Sequence, residues 1–157
     1  MQKGITTLEV VLAALIIALL MKVAIPNATR LVDRAALDYE TKRLYSELRF
    51  LQTVNRSAKF DATGTGSSGV GDVLSIKFTT EPPSYQVVRG LGYTGKPVRE
   101  VHYLSYGVKF SSPSSSVHFD SQGKASITSN HITLTSRLGK TKKISFDSVG
   151  RMQGANQ

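Results

Sequence analysis

The chain has 157 residues, no cysteine, and a formal net charge of +9 from 20 Lys/Arg against 11 Asp/Glu. That length fits one folded domain, and the lack of cysteine excludes disulfides and thiolate metal sites. The positive charge is spread along the chain, which favours solubility and mild affinity for polyanions over a dedicated nucleic-acid site. Only the tail from Arg137 onward is locally basic, with five Lys/Arg against Asp147 alone.

The first element is apolar. Val10 to Met21 carry no polar side chain, and Ile5 to Ile25 form a mostly apolar run. As a helix that run is about 32 Å long, close to the hydrocarbon thickness of a bilayer. Three readings compete. In a secretory signal peptide, Lys3 would be the basic region and the Leu/Ile run the apolar one. The exit "KVAIPNA" is poor for cleavage there, because Lys22 and Pro26 crowd the small residues. A plain membrane anchor explains the run but leaves Glu9 and Lys22 as costs, about 2.5–3.5 kcal/mol each at a helix centre and less near an end. The third reading makes "KG-ITTLE" a processing site.

Here the sequence resembles the type IV pilin and pseudopilin superfamily. Its precursors have a short basic leader ending in Gly, then a hydrophobic residue, a Glu at the fifth mature position and an apolar helix. In this chain "MQKG" is the leader, Ile5 follows it, and Glu9 is fifth after Gly4. Ile5 stands where Phe is usual, and Lys22 lies in a run that is normally uncharged. The resemblance implies cleavage by a prepilin peptidase between Gly4 and Ile5, N-methylation of Ile5, and a role for Glu9 in subunit assembly. There the Glu9 carboxylate would pair with the α-amine of a neighbouring subunit, two groups each costly to bury alone. A simpler role for Glu9 is its place in the first helical turn, where the macrodipole favours it by about 0.3–1 kcal/mol. Pro26 falls where such helices are commonly interrupted, so a kink is expected there.

Beyond Pro26 the helical pattern resumes. Leu37, Leu44, Leu48 and Leu51 share one face, and Arg34, Asp38, Lys42, Arg43, Glu47 and Arg49 fill the rest, read as solvated surface. The pattern predicts one helix from about Thr6 to Ser57, roughly 78 Å long. "DATGTGSSGVGD" (61–72) reads as a flexible loop, since it lacks the Gly-Lys-Ser/Thr ending of a phosphate loop. Then come short β-branched or aromatic stretches: "VLSIKFT", "SYQVVR", "EVHYLSYGVKF", "SVHFD", "ASITS", "HITLTSR" and "KKISFDS". "DSQG" (120–123) and "SRLG" (136–139) separate some of them as turns. The expected fold is α+β, a long N-terminal helix packed on an antiparallel β-sheet domain of six or seven strands. Its divisions are a leader at 1–4, a transmembrane or filament-core helix at 5–25, an amphipathic helix at 26–59 and a β-rich domain at 60–157.

The last third, "VHFDSQGKASITSNHITLTSRLGKTKKISFDSVGRMQ", is similar to the C-terminal part of GspH/FimT-type minor pseudopilins. No catalytic constellation is legible. His102, His118 and His131 are far apart, each in an expected strand, and there is no calcium loop or nucleophile elbow. The chain is therefore read as a non-enzyme without a cofactor or metal. Its expected partners are a prepilin peptidase, other pilins or pseudopilins, an inner-membrane assembly platform and the membrane itself. The resemblance places it in the bacterial cytoplasmic membrane with a single span and its C-terminal domain outside. From there it would enter a type II secretion pseudopilus, a type IV pilus or a competence pseudopilus. DNA is a further candidate partner. Some FimT-like pilins bind it through Gly-Arg-x-Arg, of which "GRMQ" keeps Arg151 but not the second Arg. The candidate DNA-binding residues are Lys140, Lys142, Lys143 and Arg151; lysines that discourage edge pairing of a hairpin are the competing reading.

Overall fold

The computed structural model describes residues 7–57, 73–90, 95–111, 116–127, 130–147 and 149–154, with every side chain of the helix except that of residue 23. The fold is α+β. Helix α1 spans Thr7–Ser57 without a break, about 77 Å at 1.5 Å per residue. Pro26 lies inside it. The ring removes the N–H that would bond the Lys22 carbonyl, yet the helix runs on through this point. The helix thus continues through Pro26, in line with the single long helix expected. The leader (1–4), Gly4, Ile5 and the 61–72 segment lie outside the described residues.

Burial divides the helix instead. From Thr7 to Val32 every described side chain is exposed; Asp33 is the first buried one. Beyond it Leu37, Leu44, Leu48 and Leu51 are buried on one stripe, as their spacing predicts.

Ten strands are present among the described residues: β1 (Leu74–Thr79), β2 (Ser84–Arg89), β3 (Lys96–Pro97), β4 (His102–Tyr103), β5 (Lys109–Phe110), β6 (Ser116–Phe119), β7 (Ala125–Ser126), β8 (His131–Thr135), β9 (Thr141–Phe146) and β10 (Met152–Gly154). They form two antiparallel sheets. One has the order β3-β2-β1-β6-β7, with β4 also on the edge of β2; the other runs β10-β9-β8-β5. The helix packs on β1 and β6 of the first sheet and on β8 and β9 of the second. Register puts one apolar face of each sheet against it. Ile76 stands opposite Val87 and Val117, Ile132 opposite Ile144, and Phe110 opposite Leu134. These residues join the leucine stripe in one core.

Three strand details differ from the sequence reading. "EVHYLSYGVKF" is two strands, β4 and β5, because the chain turns at Tyr106 (φ 53°) and Gly107 (φ 73°). That backbone hand cannot continue a strand. Strands β3 and β10 were not expected, being only two and three residues long. Their neighbours β2 and β9 supply the pairing that such short pieces lack alone.

Candidate functional site

The first feature with functional meaning is the stem. Among the described residues one helix is long and apolar enough to cross a membrane, and none of its apolar window is buried in the protein. Leu8, Leu12, Leu15, Leu19 and Leu20 are all more than half exposed. Such a surface needs lipid or other apolar helices around it. Glu9 sits in the first turn of this exposed segment.

Above the stem the helix is fastened to the sheets by polar contacts that the sequence reading assigned to a solvated face. Asp38 pairs with Lys142 at 2.7 Å and Glu47 with Arg99 at 2.7 Å. The Arg99 guanidinium also lies over the Phe50 ring, 4.4 Å from its centroid. Arg34, Lys42 and Arg49 remain exposed. Glu40 stands on the leucine stripe, between Leu37 and Leu44, and is fully buried. Its Oε2 lies 2.8 Å from His102 Nε2, and its Oε1 accepts from the Ser105 N–H (3.0 Å) and hydroxyl. Burial pushes this carboxyl up, but the Ser105 and His102 hydrogen bonds outweigh that, and the group ends below its ordinary value. Asn55, also fully buried, donates to the carbonyls of Leu74 and Phe119 and accepts from the Leu74 N–H. It ties β1 and β6 to the helix end.

His102, His118 and His131 each lie in a strand, as expected. His102 is the partner of Glu40. His118 is half-buried, which pushes its imidazole down against the pull of Asp120. Among the described residues no group of three or more His, Asp or Glu is placed to hold a metal ion.

The four candidate DNA-binding residues do not form one patch. Lys140 ends the β8–β9 turn, whose Leu138 N–H donates to Asp33 at 3.3 Å. Arg151 ends the β9–β10 turn, whose Gly150 carbonyl accepts from Gln52 at 2.6 Å. Asp33 and Gln52 are about 28 Å apart along the helix, so β9 places these two cations at opposite ends of the domain. Lys142 is opposite Leu134, on the core-facing side of its sheet, which is why its ammonium reaches Asp38. Lys143 is opposite Thr133, on the outer side.

What Arg151 does join is a groove of 590 Å³ whose lining includes Arg49, Gln52, Arg56, Gln122 and Val149. Three turns with one design build this region and its counterpart at the other end: "DSQGK" (120–124), "SRLGK" (136–140) and "DSVGR" (147–151). In each, the first side-chain oxygen accepts from the fifth N–H, the fourth residue is Gly with φ near 80°, and the fifth is basic. Gln52 Nε2 donates to both Gly123 and Gly150 carbonyls, at 2.7 and 2.6 Å, so one helix residue holds two turns. Arg151 Nε also pairs with Asp147 at 2.8 Å, which holds that exposed carboxyl below its usual range. The sequence reading missed Arg49 and Arg56 because they lie about 100 residues from Arg151. It missed the third turn, although "DSVGR" repeats the "DSQGK" signal.

A second groove, of 460 Å³, lies between the helix and residues 98–102; Arg43, Glu47, Tyr85, Arg99 and His102 are among its lining. Burial pushes the Tyr85 hydroxyl far up, with Arg43 pulling the other way.

Comparison of the chain with protein-family models, with curated proteins and with solved structures finds no match.

Proposed function

We propose that this chain is a structural minor pilin or pseudopilin. It would be cleaved after Gly4 by a prepilin peptidase, methylated on Ile5, and assembled through its apolar stem in the cytoplasmic membrane. Its partners would be other pilins and an inner-membrane assembly platform, and its machine a type II secretion pseudopilus, a type IV pilus or a competence pseudopilus. The observation that carries this reading is the division of one helix. From Thr7 to Val32 it buries no described side chain, and from Asp33 onward it is the spine of a folded domain. A helix built this way offers its first half to other molecules while the second half holds the protein together.

The test is assembly of the Glu9→Ala protein. Membrane insertion and processing should be retained, since the change makes the stem more apolar and spares Gly4. Crosslinking of the mature protein to partner pilins should drop sharply, because removing one side of a buried pair costs about 3–5 kcal/mol. A purely local helix-dipole role would cost about 1 kcal/mol or less and leave crosslinking unchanged. Equal crosslinking at equal amounts of processed protein sinks the assembly role.

A second reading is DNA contact during uptake. The groove that brings Arg49 and Arg56 to Arg151 favours it. Such contact would be to phosphates, blind to sequence and weakened by salt. Replacing Arg49, Arg56 and Arg151 together by Gln should abolish DNA binding at low salt, whereas no binding by the wild-type protein removes this reading.

A further inference from the structure

We propose that the stem-facing end of the domain is a docking surface for the anionic lipid headgroups of the bilayer that holds the stem. The inference rests on the membrane-anchored reading of the stem given above. Two turns form this end. One is Tyr106–Gly107; the other is Arg137–Lys140. They touch: a Cβ on Gly107 would lie 3.4 Å from the Arg137 Cβ. The second turn is tied to the helix at its first buried residue, through the Leu138 N–H to Asp33 bond.

The position along the helix puts this end just above the headgroup layer. Asp33 is eight residues beyond Ile25, about 12 Å, and the polar layer is about 5–8 Å deep on each side of the hydrocarbon, so the turn stands about 4–7 Å outside it, a gap that long Arg and Lys side chains can span. Helix side chains tilt toward the N-terminus, so Arg30 and Arg34, one above the other and both exposed, lean toward the bilayer. Arg137 and Lys140 are exposed on the turn that Asp33 holds. None of these four forms an ion pair among the described residues. The acids nearest this end are Asp33, which is buried, and Asp38, one turn beyond Arg34 and paired with Lys142.

The apolar side matches too. Tyr106 is 70% exposed and Leu138 50% exposed, both on these turns. An aromatic and a Leu among cations, facing the headgroup layer from just above it, is the composition of a membrane interface rather than of a plain solvated loop. Leu31 and Val32 are also exposed, so apolar surface continues from the stem to the base of the domain. Docking would hold the domain at one orientation over the membrane while the subunit waits to assemble.

The chain has no cysteine, so single cysteines give clean probes. The full-length protein is reconstituted into phosphatidylcholine vesicles with and without one-third phosphatidylglycerol, each carrying a headgroup-attached quencher. A fluorophore is placed on Leu138→Cys, on Ile16→Cys in the stem, or on Val149→Cys at the far turn. With anionic lipid, the Leu138 probe should be quenched and the Val149 probe should not. Arg137→Gln with Lys140→Gln should weaken the contact by about fivefold per charge, and high salt should remove it. A Leu138 probe no more quenched than Val149, while the Ile16 probe is shielded in the bilayer core, overturns the inference and spares the anchored stem. An unshielded Ile16 probe overturns both. Release of the Leu138 probe from the membrane by added duplex DNA would assign the surface to nucleic acid and overturn the lipid reading.

Discussion

Glu40 shows what single residues contribute. A carboxylate with no exposed surface survives in the core because both oxygens are matched, one by His102 and one by Ser105. Glu40→Ala leaves those donors stranded and should cost about 3–5 kcal/mol in urea unfolding. The folded-state pKa is lowered. Its contribution is therefore complete above the ordinary value of 4.5 and is lost as pH falls below it, through the folded value. Stability measured across that acid window should fall more gently in Glu40→Gln than in the wild type. Glu40 was partly legible: it lies three residues after Leu37 and four before Leu44, on the stripe the leucines define. Its partner was not, since His102 is 62 residues away and nothing local in "EVHYLS" marks a hydrogen bond to a buried carboxylate.

At the scale of elements, local signals carried the helix and the major strands. Period and apolar spacing marked α1 as one long helix through Pro26, and β-branched runs marked β1, β2, β6, β8 and β9. The misses have physical causes. β3 and β10 exist through pairing with β2 and β9 rather than through propensity, and Tyr106 adopts a left-handed conformation that its side chain does not advertise. The turns separate local from tertiary demands in a measurable way. Gly139 has φ 80° and open space around it, so Gly139→Ala should cost only the backbone term, about 1–2 kcal/mol. Gly150 has φ 83°, and a Cβ there would meet the Gly123 carbonyl oxygen at 2.1 Å. Gly150→Ala must push apart the two turns held by Gln52, and should cost more than about 3 kcal/mol, beyond ordinary overpacking. Equal losses in thermal unfolding would mean the two turns are not locked together.

At the scale of the whole molecule, the helix joins two environments. Its second half is covered by two sheets and fastened by Asp38, Glu47, Gln52 and Asn55, so the domain cannot swing freely on it. Its first half is bare, and its length and apolarity fit a bilayer. The apolar run made the stem legible in the sequence. The point where burial begins was not: it lies at Asp33, whose carboxylate is met by the N–H of Leu138, distant in the chain. The candidate basic site was legible only as composition. Four nearby cations in sequence are distributed over two ends and two faces, because a hairpin sends consecutive residues in different directions.

We propose that the stem is the mature N-terminus of a processed, assembling subunit. The direct measurement is the intact mass of the full-length protein after incubation with a prepilin peptidase in membranes, alongside Gly4→Val. The wild-type mass should fall by the residues Met1–Gly4, with Ile5 newly first, and Gly4→Val should stay whole. A wild-type protein that keeps its full mass, or a Gly4→Val protein that loses the same four residues, would contradict it.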